Sequence, residues 1–187
     1  MKWIVAFFRS SLITVILVTL IGFLLPTHYE VQREITLQAP SQTVWTTLTD
    51  LTTWPSWSLW SERFDPTIQY RYGEKRVGEG ALQVWRGDRL GEGRISLVKA
   101  RDGELSYEVS METGEFNAQG NILVKEAEGK TQIVWVERGT FGENPLGRYL
   151  GLFMDPLYGP DLEKALGELD QVALGVKAPS NVEVARQ

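Results

Sequence analysis

Apolar residues run almost unbroken through the first part of the chain, alternate with polar ones through the middle, and return every third or fourth position near the end. These three regimes predict an apolar helix, then a set of strands, then amphipathic helices. In the first regime, Trp3 to Leu25 is broken only by Arg9 and a few hydroxyls. Its 23 residues at ~1.5 Å each make a helix of about 34 Å, enough for a hydrocarbon core of ~30 Å. No face of the segment is polar, which argues against a core helix. The uninterrupted part, Ser10 to Leu25, has the length of a signal-peptide core. However, Gly22-Phe23-Leu24-Leu25-Pro26-Thr27 lacks the pair of small residues that a signal peptidase reads. The segment is read as an uncleaved single-pass anchor, with a cleaved signal as the alternative. Lys2, Arg9 and the α-amino group lie at its start, so the N-terminus is expected in the cytoplasm and the rest outside it.

Tyr29 to Gln38 alternates, with Tyr29, Val31, Ile35 and Leu37 on one face, and predicts a strand. Pro40 then opens a helix through Asp50, where Val44, Trp45, Leu48 and Leu51 recur at helical spacing. Trp54, Trp57 and Trp60 follow at intervals of three, and Pro55 limits that stretch to short turns. From Thr67 the period becomes two. Ile68, Tyr70 and Tyr72 share one face, then Ala81, Gln83 and Trp85, then Ile95 and Leu97. Leu105, Tyr107, Val109 and Met111 alternate cleanly, Phe116 to Val124 forms a further strand, and in Thr131 to Arg138 the residues Ile133, Trp135 and Glu137 share a face. Gly87-Asp88, Gly91-Glu92-Gly93, Asp102-Gly103 and Glu128-Gly129 are read as turns, Asp102-Gly103 as a tight hairpin. About seven strands result, compatible with one antiparallel meander.

The last third is helical. Pro145 to Leu157 places Leu146, Tyr149, Leu150 and Phe153 on one side. Gly159-Pro160 is expected to break that helix and Pro160 to restart it, with Leu162, Ala165, Leu166, Leu169, Val172 and Ala173 forming a stripe. One long helix covers about half of an antiparallel sheet, so the sheet must curl round it and leave space between. The fold class expected is α+β: a helix-grip domain over residues 28–175, preceded by a transmembrane anchor over residues 1–27 and followed by a loose tail over residues 176–187.

Composition narrows the chemistry. The chain of 187 residues has no cysteine and one histidine, His28. A disulfide framework, a thiolate metal site, a cysteine nucleophile and a serine–histidine triad are therefore excluded or left with almost nothing to work with. Beyond Pro26 the chain carries 17 basic and 24 acidic side chains. Such a domain is a poor nucleic-acid binder. Gly78-Glu79-Gly80 and Gly91-Glu92-Gly93 open no helix, so they are turn glycines rather than phosphate loops. Asp155, Asp161 and Glu163 could suggest a metal, but two of them flank helix starts, where carboxylates favour the dipole, and no metal site is expected. No cofactor is expected, and His28 is read as an inert linker residue.

The stretch Ala39-Pro40-Ser41 to Trp60 carries Trp54-Pro55-Ser56-Trp57-Ser58-Leu59-Trp60. It is followed by strands and then by Gly151-Leu152-Phe153-Met154-Asp155 with Gly159-Pro160-Asp161. This order resembles the polyketide cyclase/dehydrase-like branch of the START-related (SRPBCC) superfamily from about Leu25 to Val172. The resemblance implies a helix-grip fold and an N-terminal membrane span. It implies no catalytic motif, because the superfamily includes lipid-transfer proteins, cyclases, hormone receptors and co-chaperones.

The inward faces and the tryptophan segment give the candidate ligand-binding residues: Trp57, Trp60, Tyr70, Gln83, Trp85, Tyr107, Val109, Trp135, Glu137 and Phe153. The tryptophans either line a pocket mouth or close one end of the core. Strict alternation points Glu137 inward, and the competing reading is a solvated strand end. The function expected is binding of a hydrophobic or amphipathic small molecule, lipid-like or polyketide-like, between sheet and helix. An enzyme of the cyclase, dehydratase or hydrolase type is the alternative, with Glu137 and Tyr107 the nameable proton-transfer groups. A non-catalytic interaction or chaperone-like domain is the third.

Overall fold

Alternation of apolar and polar residues builds the sheet that dominates the molecule. A computed structural model describes residues 2–111, 117–140 and 144–177. The N-terminal helix α1 spans Lys2–Leu24 and leads into strand β1, His28–Leu37. Helix α2 (Ser41–Thr49) and a 3-10 turn (Trp54–Ser56) connect β1 to β2 (Gln69–Tyr72). The strands β3 (Leu82–Gly87), β4 (Gly91–Arg101), β5 (Glu104–Met111), β6 (Asn117–Ala127) and β7 (Lys130–Thr140) follow, then α3 (Gly147–Gly151) and α4 (Met154–Ala173).

All seven strands form one antiparallel sheet in the order β1-β7-β6-β5-β4-β3-β2. β2 to β7 are a meander, and β1 closes onto β7, so the two earliest strands lie at opposite edges. Asp102-Gly103 and Glu128-Gly129 join their strands with positive φ at both residues, the backbone that two-residue hairpins require. The predicted stripe of α4 (Leu162, Ala165, Leu166, Leu169, Val172) is buried, and α4 packs against β1 and α2. Asp170 of α4 accepts the backbone N–H of Gln38 at 3.0 Å and of Ala39 at 2.9 Å, which pins the β1–α2 turn.

Three local expectations are corrected. Gly91-Glu92-Gly93 is the start of β4, not a turn. Gly93 faces inward in step with Ile95 and is opposite Trp85, whose ring takes the space of a side chain, so that a Cβ there would lie 2.3 Å from Trp85 Cζ2. The Gly159-Pro160 pair does not break the last helix, since α4 is continuous through Pro160. Arg33 of β1 holds that region, its guanidinium lying against Gly159. It donates to Asp155 Oδ1 and to Glu163 Oε1, both at 2.7 Å, and to the Asp155 carbonyl at 3.3 Å. These bonds hold the Asp155 carboxyl below the usual carboxylate range, and they occupy two of the three acids considered for a metal. Both acids are exposed, so Arg33→Met is expected to lower the denaturation midpoint only slightly. Denaturant titration of the two proteins checks this. Lastly, His28 is not in a linker. It pairs with Thr140 at the start of β1.

The expected tail falls on residues 176–187, of which 178–187 lie outside the described residues. α1 is long and apolar enough to cross a membrane over Ala6–Leu24, with a mean hydropathy of 2.1. A signal sequence meets the same description.

Candidate functional site

Inward strand positions and the segment before β2 bring aromatic rings together in the space between sheet and α4. Trp54, Trp57 and Trp60 enter from the segment between α2 and β2, while Trp85, Tyr107 and Trp135 enter from β3, β5 and β7. All six are buried. Ring centroids lie 4.8 Å apart for Trp54 and Trp57, 5.2 Å for Trp54 and Tyr107, 5.8 Å for Trp60 and Trp85, and 6.0 Å for Trp57 and Trp135. Most pairs are edge-to-face or tilted, the arrangements that aromatic quadrupoles favour. The tryptophan segment is also tied down by hydrogen bonds. Trp54 Nε1 donates to the Leu48 carbonyl at 2.9 Å, and the Tyr70 hydroxyl donates to the Trp60 carbonyl at 3.1 Å.

One acid sits inside this cluster. Glu137 is fully buried, so the alternation reading holds over the solvated strand end. The reason is pairing beyond its own strand: β7 runs on to Thr140, and β1 covers it in register, with Val31 opposite Glu137. Glu137 Oε2 accepts the Tyr107 hydroxyl and, at 3.3 Å, Trp135 Nε1, while Trp135 Nε1 also donates to the Tyr107 hydroxyl oxygen at 2.9 Å. The other oxygen, Oε1, has no hydrogen-bond partner among the described residues, and nor does the buried Trp85 Nε1. Unmet polar atoms at such depth cost free energy. Burial pushes the Glu137 carboxyl up to about 7, against the two hydrogen bonds that favour its charged form. Tyr107 is raised well above the usual phenol range by burial and by the neighbouring Glu137 charge.

A missing side chain makes this arrangement possible. Tyr107 on β5 is opposite Gly120 on β6, and Gly120 is opposite Glu137 on β7. The tyrosine ring crosses β6 over Gly120, where a Cβ would stand 1.9 Å from Tyr107 Cζ. Gly139 likewise leaves room for Tyr29, whose hydroxyl would lie 2.4 Å from a Cβ there.

The structure thus gathers Trp57, Trp60, Trp85, Tyr107, Trp135 and Glu137 into one buried cluster. Tyr70 and Val109 are buried beside it, and Gln83 is buried toward the β2–β3 edge, donating to the Tyr72 hydroxyl at 3.4 Å. Phe153 is not with them: it is 57% exposed and precedes α4 outside the interior. Two residues outside the candidate set matter. Trp54 is at the centre of the ring contacts. Asp65, fully buried, accepts the backbone N–H of Thr67, Arg89 and Leu90 at 2.7–3.0 Å and so ties the segment before β2 to the β3–β4 turn. The spacing Asp65-x-Thr67 is the available sequence signal, because such a pair favours a side-chain-closed turn.

Three cavities lined by described residues, of about 600, 560 and 310 Å³, lie outside this interior. The largest is a groove on the outer face of the sheet, with His28, Arg94, Glu108, Gln119 and Arg138 in its lining.

Residues 28–173 match a family model described as polyketide cyclase/dehydrase and lipid transport. No curated protein matches the chain. Solved structures share the fold at low identity. A Thermus thermophilus protein is 16% identical with a TM-score of 0.58, over 80% of this chain and 99% of that one. A hypothetical protein of Helicobacter pylori is 11% identical with a TM-score of 0.57, over 77% and 87%. Major latex-like protein 151 of Panax ginseng is 11% identical with a TM-score of 0.54, over 80% and 99%.

Proposed function

Because the chain belongs to the polyketide cyclase/dehydrase and lipid transport family, we propose that it binds a hydrophobic or amphipathic small molecule between sheet and α4, held at the membrane by α1 with the domain outside the cytoplasm. The observation that carries this reading is the pair of unmet polar atoms, Glu137 Oε1 and Trp85 Nε1, buried in an otherwise aromatic interior. A neutral Glu137 can donate from Oε1 to a carbonyl or hydroxyl oxygen of a ligand, and Trp85 Nε1 can donate to another. Around them, Trp57, Trp60, Tyr70, Tyr107, Val109 and Trp135 offer the apolar and aromatic surface that such a molecule needs. Three of the six rings in the space come from one segment, Trp54 to Trp60, whose movement would open a way in. Gln83, toward the β2–β3 edge, is a further polar contact. Phe153 serves at the margin of the domain rather than inside it.

The test is native mass spectrometry of the full chain, extracted in mild detergent without delipidation. The expected result is a non-covalent adduct that is lost on denaturation and weakened in Glu137→Leu. A bare chain in repeated preparations overturns the reading.

One observation favours a second reading, an enzyme of the cyclase or dehydratase type. A carboxyl pushed up to about 7 and bonded to a tyrosine is suited to proton transfer at neutral pH. The two readings part on the fate of the adduct. A molecule recovered unchanged after incubation supports binding alone.

A further inference from the structure

Residues 146–157 expose five large apolar side chains: Leu146, Leu150, Leu152, Phe153 and Leu157 are each 54–64% exposed. Such a cluster on one short segment is unusual for a surface facing water. Its position explains it. The segment packs against the C-terminal end of α1, where Pro145 touches Gly22 so closely that a Cβ on Gly22 would meet the Pro145 carbonyl at 2.5 Å. The Tyr149 hydroxyl donates to the Val18 carbonyl at 2.7 Å, and Arg148 Nη1 donates to the Phe23 carbonyl at 2.9 Å. Around this contact α1 shows Leu17, Leu20, Phe23 and Leu24, each more than half exposed. The two surfaces are therefore one continuous apolar face.

We infer that Leu146, Leu150, Leu152, Phe153 and Leu157 form a foot that inserts into the acyl region of the lipid bilayer beside α1. This rests on the reading of α1 as a membrane span. Depth supports the bilayer as occupant. Val18 is six residues before Leu24, about 9 Å along the helix from that end. Tyr149 reaching Val18 puts α3 at the depth to which interfacial helices bury their apolar face, roughly 5–10 Å. The charge pattern agrees. From Pro145 to Leu157 the charged residues are Arg148, whose guanidinium is engaged by Phe23, 5.7 Å from that ring, and Asp155, which is paired with Arg33. Tyrosine and arginine beside a helix end are the residues that anchor at the headgroup level. The foot also sets the orientation of the domain. β1 leaves the end of α1 at His28, and Val31, three residues on, is opposite Glu137, so the Glu137 end of the interior is turned toward the bilayer.

The absence of cysteine makes the test clean. Ile16→Cys, Leu150→Cys, Phe153→Cys and, on the outer sheet face, Val98→Cys are each labelled with an environment-sensitive fluorophore. The full chain is placed in phosphatidylcholine nanodiscs and quenched by nitroxide-bearing lipids or by aqueous iodide. Labels at 150 and 153 are expected to be quenched severalfold more by the lipid than the label at 98, and severalfold less by iodide. Labels at 150 and 153 that behave like 98, with 16 in lipid, overturn the foot and leave the anchor standing. A label at 16 open to iodide overturns the anchor and the foot with it. Labels at 150 and 153 shielded from both quenchers mean that protein covers the face, which also overturns the bilayer as occupant.

Discussion

Gly120→Ala is expected to lower the unfolding free energy by about 2–6 kcal/mol, a large effect for one added methyl group. The Cβ would stand 1.9 Å from Tyr107 Cζ and 2.3 Å from its hydroxyl oxygen. The contact is with a rigid ring enclosed by Trp54, Trp60 and Trp135, so nothing flexible can yield. Displacing the ring costs ~1–3 kcal/mol as overpacking. It also removes the Tyr107 hydroxyl from Glu137 Oε2, leaving a buried carboxyl short of a donor at a further ~1–3 kcal/mol. A double-mutant cycle isolates the cause. Tyr107→Ala alone is costly because it opens a cavity, but with the ring gone Gly120→Ala should add little. Strict additivity of the two costs would show that the ring does not depend on the glycine.

That glycine also shows where sequence reasoning stops. Period-two alternation identified which side chains of β5 and β7 face inward, and Glu137 and Tyr107 followed from parity alone. It carried no information on what crosses between strands. Gly93, Gly120 and Gly139 each leave room for an aromatic ring from another strand, and such a pairing exists only once the register is fixed. For the same reason Gly91-Glu92-Gly93 looks like a turn in isolation. The helical end fails differently. Counting three or four residues from Leu146 assumes one helix through Leu157. In fact the helix is interrupted after Gly151 and resumes at Met154. Leu146, Leu150 and Phe153 are nevertheless exposed together, as the spacing groups them, but the segment packs against α1 and turns them away from the core. The α4 stripe was readable because nothing interrupts it, Pro160 included. How much room the interior keeps is a matter of summed volumes, and alternation is silent on volume: it put Trp85 and Trp135 on strand faces without showing that Trp57 and Trp60 pack on them.

The acid at the centre of that packing makes the whole chain a pH sensor in stability. The Glu137 carboxyl titrates near 7 in the folded protein, against 4.5 for an ordinary glutamate, and burial is the main cause. The folded state therefore keeps a proton that the unfolded state has already released. Below pH 4.5 both states are protonated and the fold has its full stability. As pH rises from there to about 7 the unfolded state is progressively favoured, and above 7 both states are ionised and the loss levels off. A difference of that size is on the order of 3 kcal/mol. Asp65 and Asp155, held below the usual carboxylate range, act at more acid pH and leave this window clear. Tyr29, Tyr107 and Tyr158, which feel the Glu137 charge, stay protonated across it. Glu137→Gln keeps the shape and an acceptor for Tyr107 but cannot ionise. Its unfolding free energy should be nearly flat between pH 5 and 8, close to the parent at pH 5 and above it by roughly 3 kcal/mol at pH 8. Denaturant unfolding of both proteins at half-unit pH steps measures this. Parallel pH profiles for the two would mean that Glu137 is ionised in the folded state throughout. In that case Oε1 has no proton to donate, and the polar contact proposed for the ligand would have to be an acceptor.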